Sequence, residues 1–271
     1  MSAVGDADLA PVMERVARAR GVRCDAYKSS CFRRRLAVRM RACGVHTYDE
    51  YAAVLDGDGA EFDRLLAALT INVSSFYRNA SVWDYLRFEC LPALWEAGGA
   101  VRCWSAGCAA GEEPYTLAML LLETARAAGR PDPGTSSVLA TDLDPEILEA
   151  ARQAEYREAA FAELPPAWRE RWVRPRGNRL VIAPEVRQLV RFAPHDLIRD
   201  VPPDPPYDLI VCRNVVIYFD RPIQENLFHR FADALRPGGR LVLGKTETLF
   251  GESVRSRLVF DNVRERVYRA Q

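Results

Sequence analysis

Two glutamates that follow a glycine-flanked turn are the first residues whose types and spacing could do chemistry. The run VRCWSAGCAAGEEPYTLAMLL reads as a strand, a turn bounded by Gly107 and Gly111, and a long apolar helix. Glycines at such a turn let the backbone approach a ligand closely. A plain strand–turn–helix without a ligand is the alternative. The spacing GCAAG is not GxGxxG, and Glu112 and Glu113 sit where a pyrophosphate would need bare N–H groups. Acidic residues at that point suit a ligand with a cationic end.

Two more acids stand at strand ends. Asp142 closes the strand of LATDLDPEIL, where a carboxylate can bind both hydroxyls of a ribose. Capping the helix that follows is the other reading of Asp142. Asp196 closes the strand of RFAPHDL and could meet an adenine amino group. Three acidic strand ends in order define one crevice, and a ligand with an ammonium, a ribose and an adenine fits it. S-adenosylmethionine is such a ligand. A fourth motif, YDLIVCRNVVIYFD, ends a buried strand at Arg213 and Asn214, with Tyr218 shortly after. The sequence Asp204-Pro205-Pro206-Tyr207 spells the DPPY signature of adenine amino-methyltransferases. There the motif follows its strand; here it precedes it, at the wrong end of the sheet, so that activity is rejected.

These residues need elements to hold them. The first 70 residues or so read as helices. One covers Ala7 to Ala19, one runs from a cap at Ser29 or Ser30 to Gly44, one begins near Thr47, and one covers EFDRLLAALT. Phe32, Leu36, Met40 and Cys43 share a stripe of the second helix, and Arg34, Arg35, Arg39 and Arg41 occupy much of the rest. After the stretch INVSSFYRN a helix runs from about Ser81 to Leu94. From Val101 short apolar runs alternate with helical patterns, as in a parallel sheet with crossovers. LVFDN and RERVYRA lie close together, so one of these last strands runs antiparallel. Residues 161–191 interrupt the alternation with Pro165, Pro166, Pro175, Gly177 and Pro184. An inserted antiparallel element is preferred to a structureless loop of that length. The expected fold is α/β: a Rossmann-like class I methyltransferase domain over 91–271, a small all-α domain over 1–71, a linker over 72–90, and a small inserted β-subdomain.

Composition sets limits. Lys and Arg total 37, as do Asp and Glu, so the molecule is not a general nucleic-acid binder. The N-terminus MSAVGDADLA lacks a signal-peptide pattern, and no apolar run would insert in a bilayer. Seven cysteines without CxxC spacing suggest reduced thiols in the cytoplasm rather than a metal site or disulfides.

The combination of GEEPY with CRNVVIYF resembles the chemotaxis receptor methyltransferases (CheR), together with NVSSFYR, ATDLDPEILEAARQAEY and RPIQENLFHRF. The resemblance spans nearly the whole chain. It implies transfer of a methyl group from S-adenosylmethionine to glutamate side chains of chemoreceptors, leaving S-adenosylhomocysteine. It also implies that Asn72, Ser74 and Arg78 reach the cofactor, that Glu112 meets its methionine portion and Asp142 its ribose, and that Asp196 and Leu197 line the adenine pocket. Arg213 and Asn214 would lie close to it. Arg78 and Tyr218 would carry the transfer step. The arginine helix would dock the acidic methylation helices of a receptor through Arg34, Arg35, Arg39 and Arg41, a solvated helix face being the alternative. The family is usually monomeric. Ser74 stands where threonine is common, Cys108 where a small residue is common, and KTETL replaces an HSEN-like stretch. A same-fold methyltransferase with another acceptor, or a cofactor-binding module without turnover, are the competing readings.

Overall fold

A computed structural model describes residues 9–20, 28–69, 74–129 and 134–271. Asn72 lies outside the described residues. The chain divides into two compact units, one of Met1–Asn72 with Tyr218–Gln224, the other of Val73–Ile217 with Glu225–Gln271. No helix among the described residues is long and apolar enough to cross a membrane.

The first unit holds α1 (Ala10–Arg20), α2 (Ser29–Cys43), α3 (Tyr48–Gly57) and α4 (Gly59–Leu69). Phe32, Leu36 and Met40 of α2 are buried, as are Tyr51 and Leu55 of α3 and Leu65 of α4. Thr47 caps α3 in a full capping box with Glu50, as the T-x-x-E spacing implies. Gly44 ends α2 in the left-handed conformation. The cap position of α2 is not a serine, however. Lys28 holds the cap position, where its side chain makes no cap bond, and Ser29 is already helical.

Arg39 also departs from expectation, because it does not sit on a free docking face. Its Nε and Nη2 donate to the two carboxylate oxygens of Glu61 at 2.9 and 2.6 Å, and Tyr51 donates to the same carboxylate at 2.7 Å. Glu61 is only 1% exposed. Burial pushes its carboxyl up, but the bonds from Arg39 and Tyr51 outweigh that and hold it down at about 2. A carboxylate so buried needs its partner, so Arg39→Met should cost about 3 kcal/mol in chemical denaturation of the full chain. Glu61 is held below its ordinary value, so its contribution is present above about pH 4.3 and lost as pH falls towards 2. The gap between wild type and Arg39→Met should therefore narrow below pH 4. A gap unchanged at pH 3 would contradict the assignment.

The second unit opens with α5 (Ala80–Tyr85), a π-helical turn (Leu86–Cys90) and α6 (Leu91–Gly98). Then follow β1 (Arg102–Ala106), α7 (Glu112–Ala127), β2 (Ser137–Asp142), α8 (Pro145–Gln153), β3 (Glu155–Tyr156), α9 (Pro166–Trp172), β4 (Val173–Arg176), β5 (Arg179–Ile182), α10 (Pro184–Arg187), β6 (Val190–Pro194) and β7 (Tyr207–Cys212). The chain ends with α11 (Arg221–Ala234), β8 (Leu235–Leu243), α12 (Glu252–Arg255), β9 (Leu258–Asn262) and β10 (Val267–Ala270). The main sheet has the order β6-β2-β1-β7-β8-β10-β9. Its first five strands are parallel, and β10 runs antiparallel between β8 and β9. The inserted element is a three-stranded antiparallel sheet of order β3-β5-β4. It starts at Glu155, before the boundary expected from the prolines.

Helix α7 is apolar on nearly every side because it is covered on nearly every side. Its Leu117, Leu120 and Leu121 share one core with Trp83, Leu86 and Trp95 of the preceding helices and with Val138, Leu209 and Val211 of the sheet. The stretch 80–98 is thus a layer of the catalytic unit rather than a tether.

Candidate functional site

The site lies at the carboxyl ends of neighbouring strands. In register, Ala106 of β1 stands beside Thr141 of β2, Asp142 beside Pro194 of β6, and Ser105 beside Val211 of β7. Sheet order reverses at β1, with β2 on one side and β7 on the other, and this is where open α/β sheets bind ligands.

The turn 107–111 crosses that end. Gly107 and Cys108 donate to the Thr141 carbonyl at 2.8 and 2.9 Å, and the Ala109 N–H reaches the Asp142 carboxylate at 2.9 Å. Gly107 has φ +81°, and a Cβ there would meet a Val215 methyl at 2.6 Å. Gly111 has φ +96°, and a Cβ would meet the Tyr156 hydroxyl at 2.9 Å. Both positions therefore require glycine. Tyr156 donates to the Ala110 carbonyl at 2.7 Å, so the inserted sheet supports the turn from outside.

Glu112 opens α7, is 6% exposed, and one of its carboxylate oxygens, Oε2, is buried without a protein partner. Burial pushes its carboxyl up to about 7. A buried, unpartnered carboxylate oxygen is costly unless a donor or cation completes it. Asp142 keeps both oxygens on main-chain N–H groups, Oδ2 from Ala109 and Oδ1 from Asp144 at 3.1 Å. Each oxygen retains a second lone pair for a hydroxyl. Burial raises this carboxyl, and the main-chain donors oppose the rise. The helix-cap alternative is filled by Asp144, which accepts from Glu146 and Ile147 at the start of α8. Asp196 lies just past β6 and accepts from Ile198 at 2.8 Å, with Leu197 buried beside it. His195 is structural, its ring edge-on to Trp104 and bonded to the Val201 carbonyl.

Arg213 and Asn214 follow β7. The Arg213 side chain is buried and turned towards Arg78 and Asn79. Ser74 begins the described part of the linker that carries them. Tyr218 ends a 3₁₀ turn, and its carbonyl accepts from Lys28 at 2.9 Å, which groups it with the helical unit. Of the four arginines expected to dock a receptor, Arg34 and Arg41 are exposed and Arg35 and Arg39 are half-buried.

The sequence singles out Glu113 only as an obstacle to a pyrophosphate, and Glu247 not as a site residue at all. Glu113 is buried, accepts from Ser105 at 2.9 Å and lies 3.7 Å from Arg213. Its signal was the doubled glutamate at the helix start. Glu247, in KTETL, accepts from the N–H groups of Gly244, Asn214 and Ile217 at 2.6, 3.0 and 3.1 Å. It holds the loop after β7 by its main chain. An acid just past the strand neighbouring β7 was its only signal.

Taken together, a buried unpartnered carboxylate, a second carboxylate with spare lone pairs and a turn free of bulky side chains fit the amino and ribose groups of S-adenosylmethionine. Residues 72–264 match the family described as CheR methyltransferase, SAM binding domain, and residues 7–70 match CheR methyltransferase, all-alpha domain. The chemotaxis protein methyltransferase of Listeria innocua is 37% identical over 237 residues, covering 86% of this chain and 87% of that protein. That of Escherichia coli K12 is 31% identical over 252 residues, covering 90% and 85%. Chemotaxis protein methyltransferase 2 of Pseudomonas aeruginosa is 32% identical over 245 residues, covering 89% and 86%. The cofactor is S-adenosylmethionine, and the chain belongs to the CheR methyltransferase family.

Proposed function

We propose that this protein methylates glutamate side-chain carboxylates of chemoreceptors, working in the cytoplasm as a monomer. The observation that carries the reading is the buried, unpartnered Glu112 carboxylate oxygen beside the glycine turn. It supports a ligand with a cationic amino group, in a chain whose relatives are chemotaxis protein methyltransferases.

In this reading Glu112 holds the amino group of the cofactor, Asp142 its ribose hydroxyls, and Asp196 and Leu197 its adenine. Asn72, Ser74 and Arg78 reach the cofactor, and Gly107, Arg213 and Asn214 lie close to it. When bound, S-adenosylmethionine supplies an electrophilic methyl on a sulfonium. The acceptor carboxylate has an ordinary pKa of about 4.3, so it is ionised at neutral pH and needs no general base. The residues have only to hold it in line and exclude water. Arg78 grips the carboxylate through charge-assisted hydrogen bonds, and the Tyr218 hydroxyl orients it. Arg34, Arg35 and Arg41 form a basic helix face for the acidic methylation helices of a receptor and steer the encounter. Arg39 serves the fold of that helix instead.

Tyr218→Phe tests the division of labour. Receptor methylation under saturating cofactor should fall by about ten-fold, the scale of one orienting hydrogen bond, with cofactor affinity within about two-fold. Loss confined to cofactor affinity would remove Tyr218 from the transfer step.

A further inference from the structure

We propose that Arg213 is a positioning residue that fixes Arg78 for the transfer, acting through the Arg78 carbonyl and the Asn79 side chain. The inference rests on the reading of Arg78 as the residue that grips the acceptor.

Arg213 is 7% exposed, and a guanidinium so deep in the protein is costly unless its partners are arranged for it. Its partners join three parts of the unit. Nη2 donates to the Arg78 carbonyl at 3.0 Å and to Asn79 Oδ1 at 2.8 Å. Nη1 lies 3.7 Å from Glu113, which is itself held by Ser105 of β1. The guanidinium also lies over the Trp83 ring, 5.2 Å from its centre. The Trp83 indole N–H donates to the same Arg78 carbonyl at 3.0 Å. That one carbonyl is thus gripped from two sides.

The backbone around Arg78 needs such a grip. Tyr77 and Asn79 both have positive φ, 60° and 61°. Asparagine tolerates this conformation, but a tyrosine in it is strained and persists only where its surroundings over-determine it. The Tyr77 N–H is bonded to the Thr116 hydroxyl at 3.2 Å, and the Asn79 N–H to Glu163 at 3.0 Å. The clasp from Arg213 completes the set and ties it to Glu113, next in sequence to Glu112. The side chain that would grip the acceptor and the carboxylate that would hold the cofactor are thereby referred to one buried ion pair.

The test uses the full-length protein with three readouts: thermal stability, S-adenosylhomocysteine affinity by calorimetry, and kcat and KM for methylation of a receptor fragment. Asn79→Gly keeps the positive φ available but removes the acceptor, and Asn79→Asp restores an acceptor for Arg213. Misplacement of a gripping residue by about 1 Å can cost up to a hundred-fold in rate. Asn79→Gly should therefore lower kcat by about ten-fold or more, with cofactor affinity within about two-fold. Asn79→Asp should recover most of the loss. Arg213→Lys keeps the charge, but its single nitrogen cannot reach both Glu113 and the Arg78–Asn79 pair, so it should lower kcat at least as much. Wild-type kcat in folded Asn79→Gly, or equal loss in the Gly and Asp variants, would overturn the inference even while Arg78→Ala is inactive. Full turnover in Arg78→Ala would overturn the underlying reading of Arg78, and this inference with it.

Discussion

Glu112→Gln should weaken S-adenosylhomocysteine binding by about thirty-fold at pH 7.5, the equivalent of about 2 kcal/mol for one charge-assisted hydrogen bond in a buried site. The same substitution should flatten the pH dependence of binding. Burial pushes the Glu112 carboxyl up to about 7, so below that pH the ligand-free protein holds it protonated. Its partner is the cationic amino group of the ligand, which favours the ionised form. Wild-type affinity should therefore rise from pH 5.5 to 7 and level off above, by up to about ten-fold per pH unit if one proton is released. The sign in the ligand-free protein is opposite. A carboxyl raised in the fold stabilises it fully below about pH 4.3, and that contribution is lost as pH rises through 7. Ligand-induced gain in Tm should thus be larger at pH 7.5 than at pH 6. Glu113 is also pushed up to about 7 by burial, against the pull of Arg213, so the Glu112→Gln titration is the one that assigns the effect. Calorimetry of both proteins across this range makes the comparison, and a pH profile that survives in Glu112→Gln would remove Glu112 from the amino-group site.

Arg78→Ala should lower kcat for receptor methylation by about a hundred- to a thousand-fold, the scale for losing one preorganised charged donor. Its carbonyl is held by Trp83 and Arg213, and truncating the side chain leaves those bonds in place. The loss should therefore fall on turnover rather than on Tm. Arg78→Lys should recover only part of the rate, because an ammonium cannot grip a carboxylate through two parallel bonds. Initial rates with saturating cofactor, alongside thermal melts, separate these outcomes. A variant that is fully active, or one that merely unfolds, would contradict the assignment.

Much of this arrangement was legible in the residues. Strands with continuous apolar runs, such as DLIVC, stand where their pattern put them, because they are buried on both faces. Asp142 was readable because it closes such a run in β2, whereas Glu112 opens α7 beyond the turn and Asp196 lies two residues past β6. Thr47 announced its helix start, and Glu50 completes the capping box with it. What failed depended on contacts distant in sequence. Arg39 had the periodicity of a surface arginine, but Glu61 of α4 packs against it and leaves it half-buried. Ser29 carried a capping side chain, yet the helix begins at that residue and the cap position falls to Lys28. Strand β3 is two residues long, too short for any alternation, and only its pairing with β5 defines it. Asn79 and Glu247 looked ordinary, and Glu113 no more than a bar to a pyrophosphate, because their roles come from Arg213 and from main-chain donors across the sheet end.

The most direct measurement is transfer of labelled methyl from S-adenosylmethionine to membranes carrying chemoreceptors of the same organism, followed by mild alkali. A glutamate methyl ester is cleaved by alkali and releases methanol. Label on the receptor band that leaves as volatile methanol is the predicted result. Cofactor binding by calorimetry with no label on the receptors, or label stable to alkali, would contradict carboxyl methylation of receptors as the function of this protein.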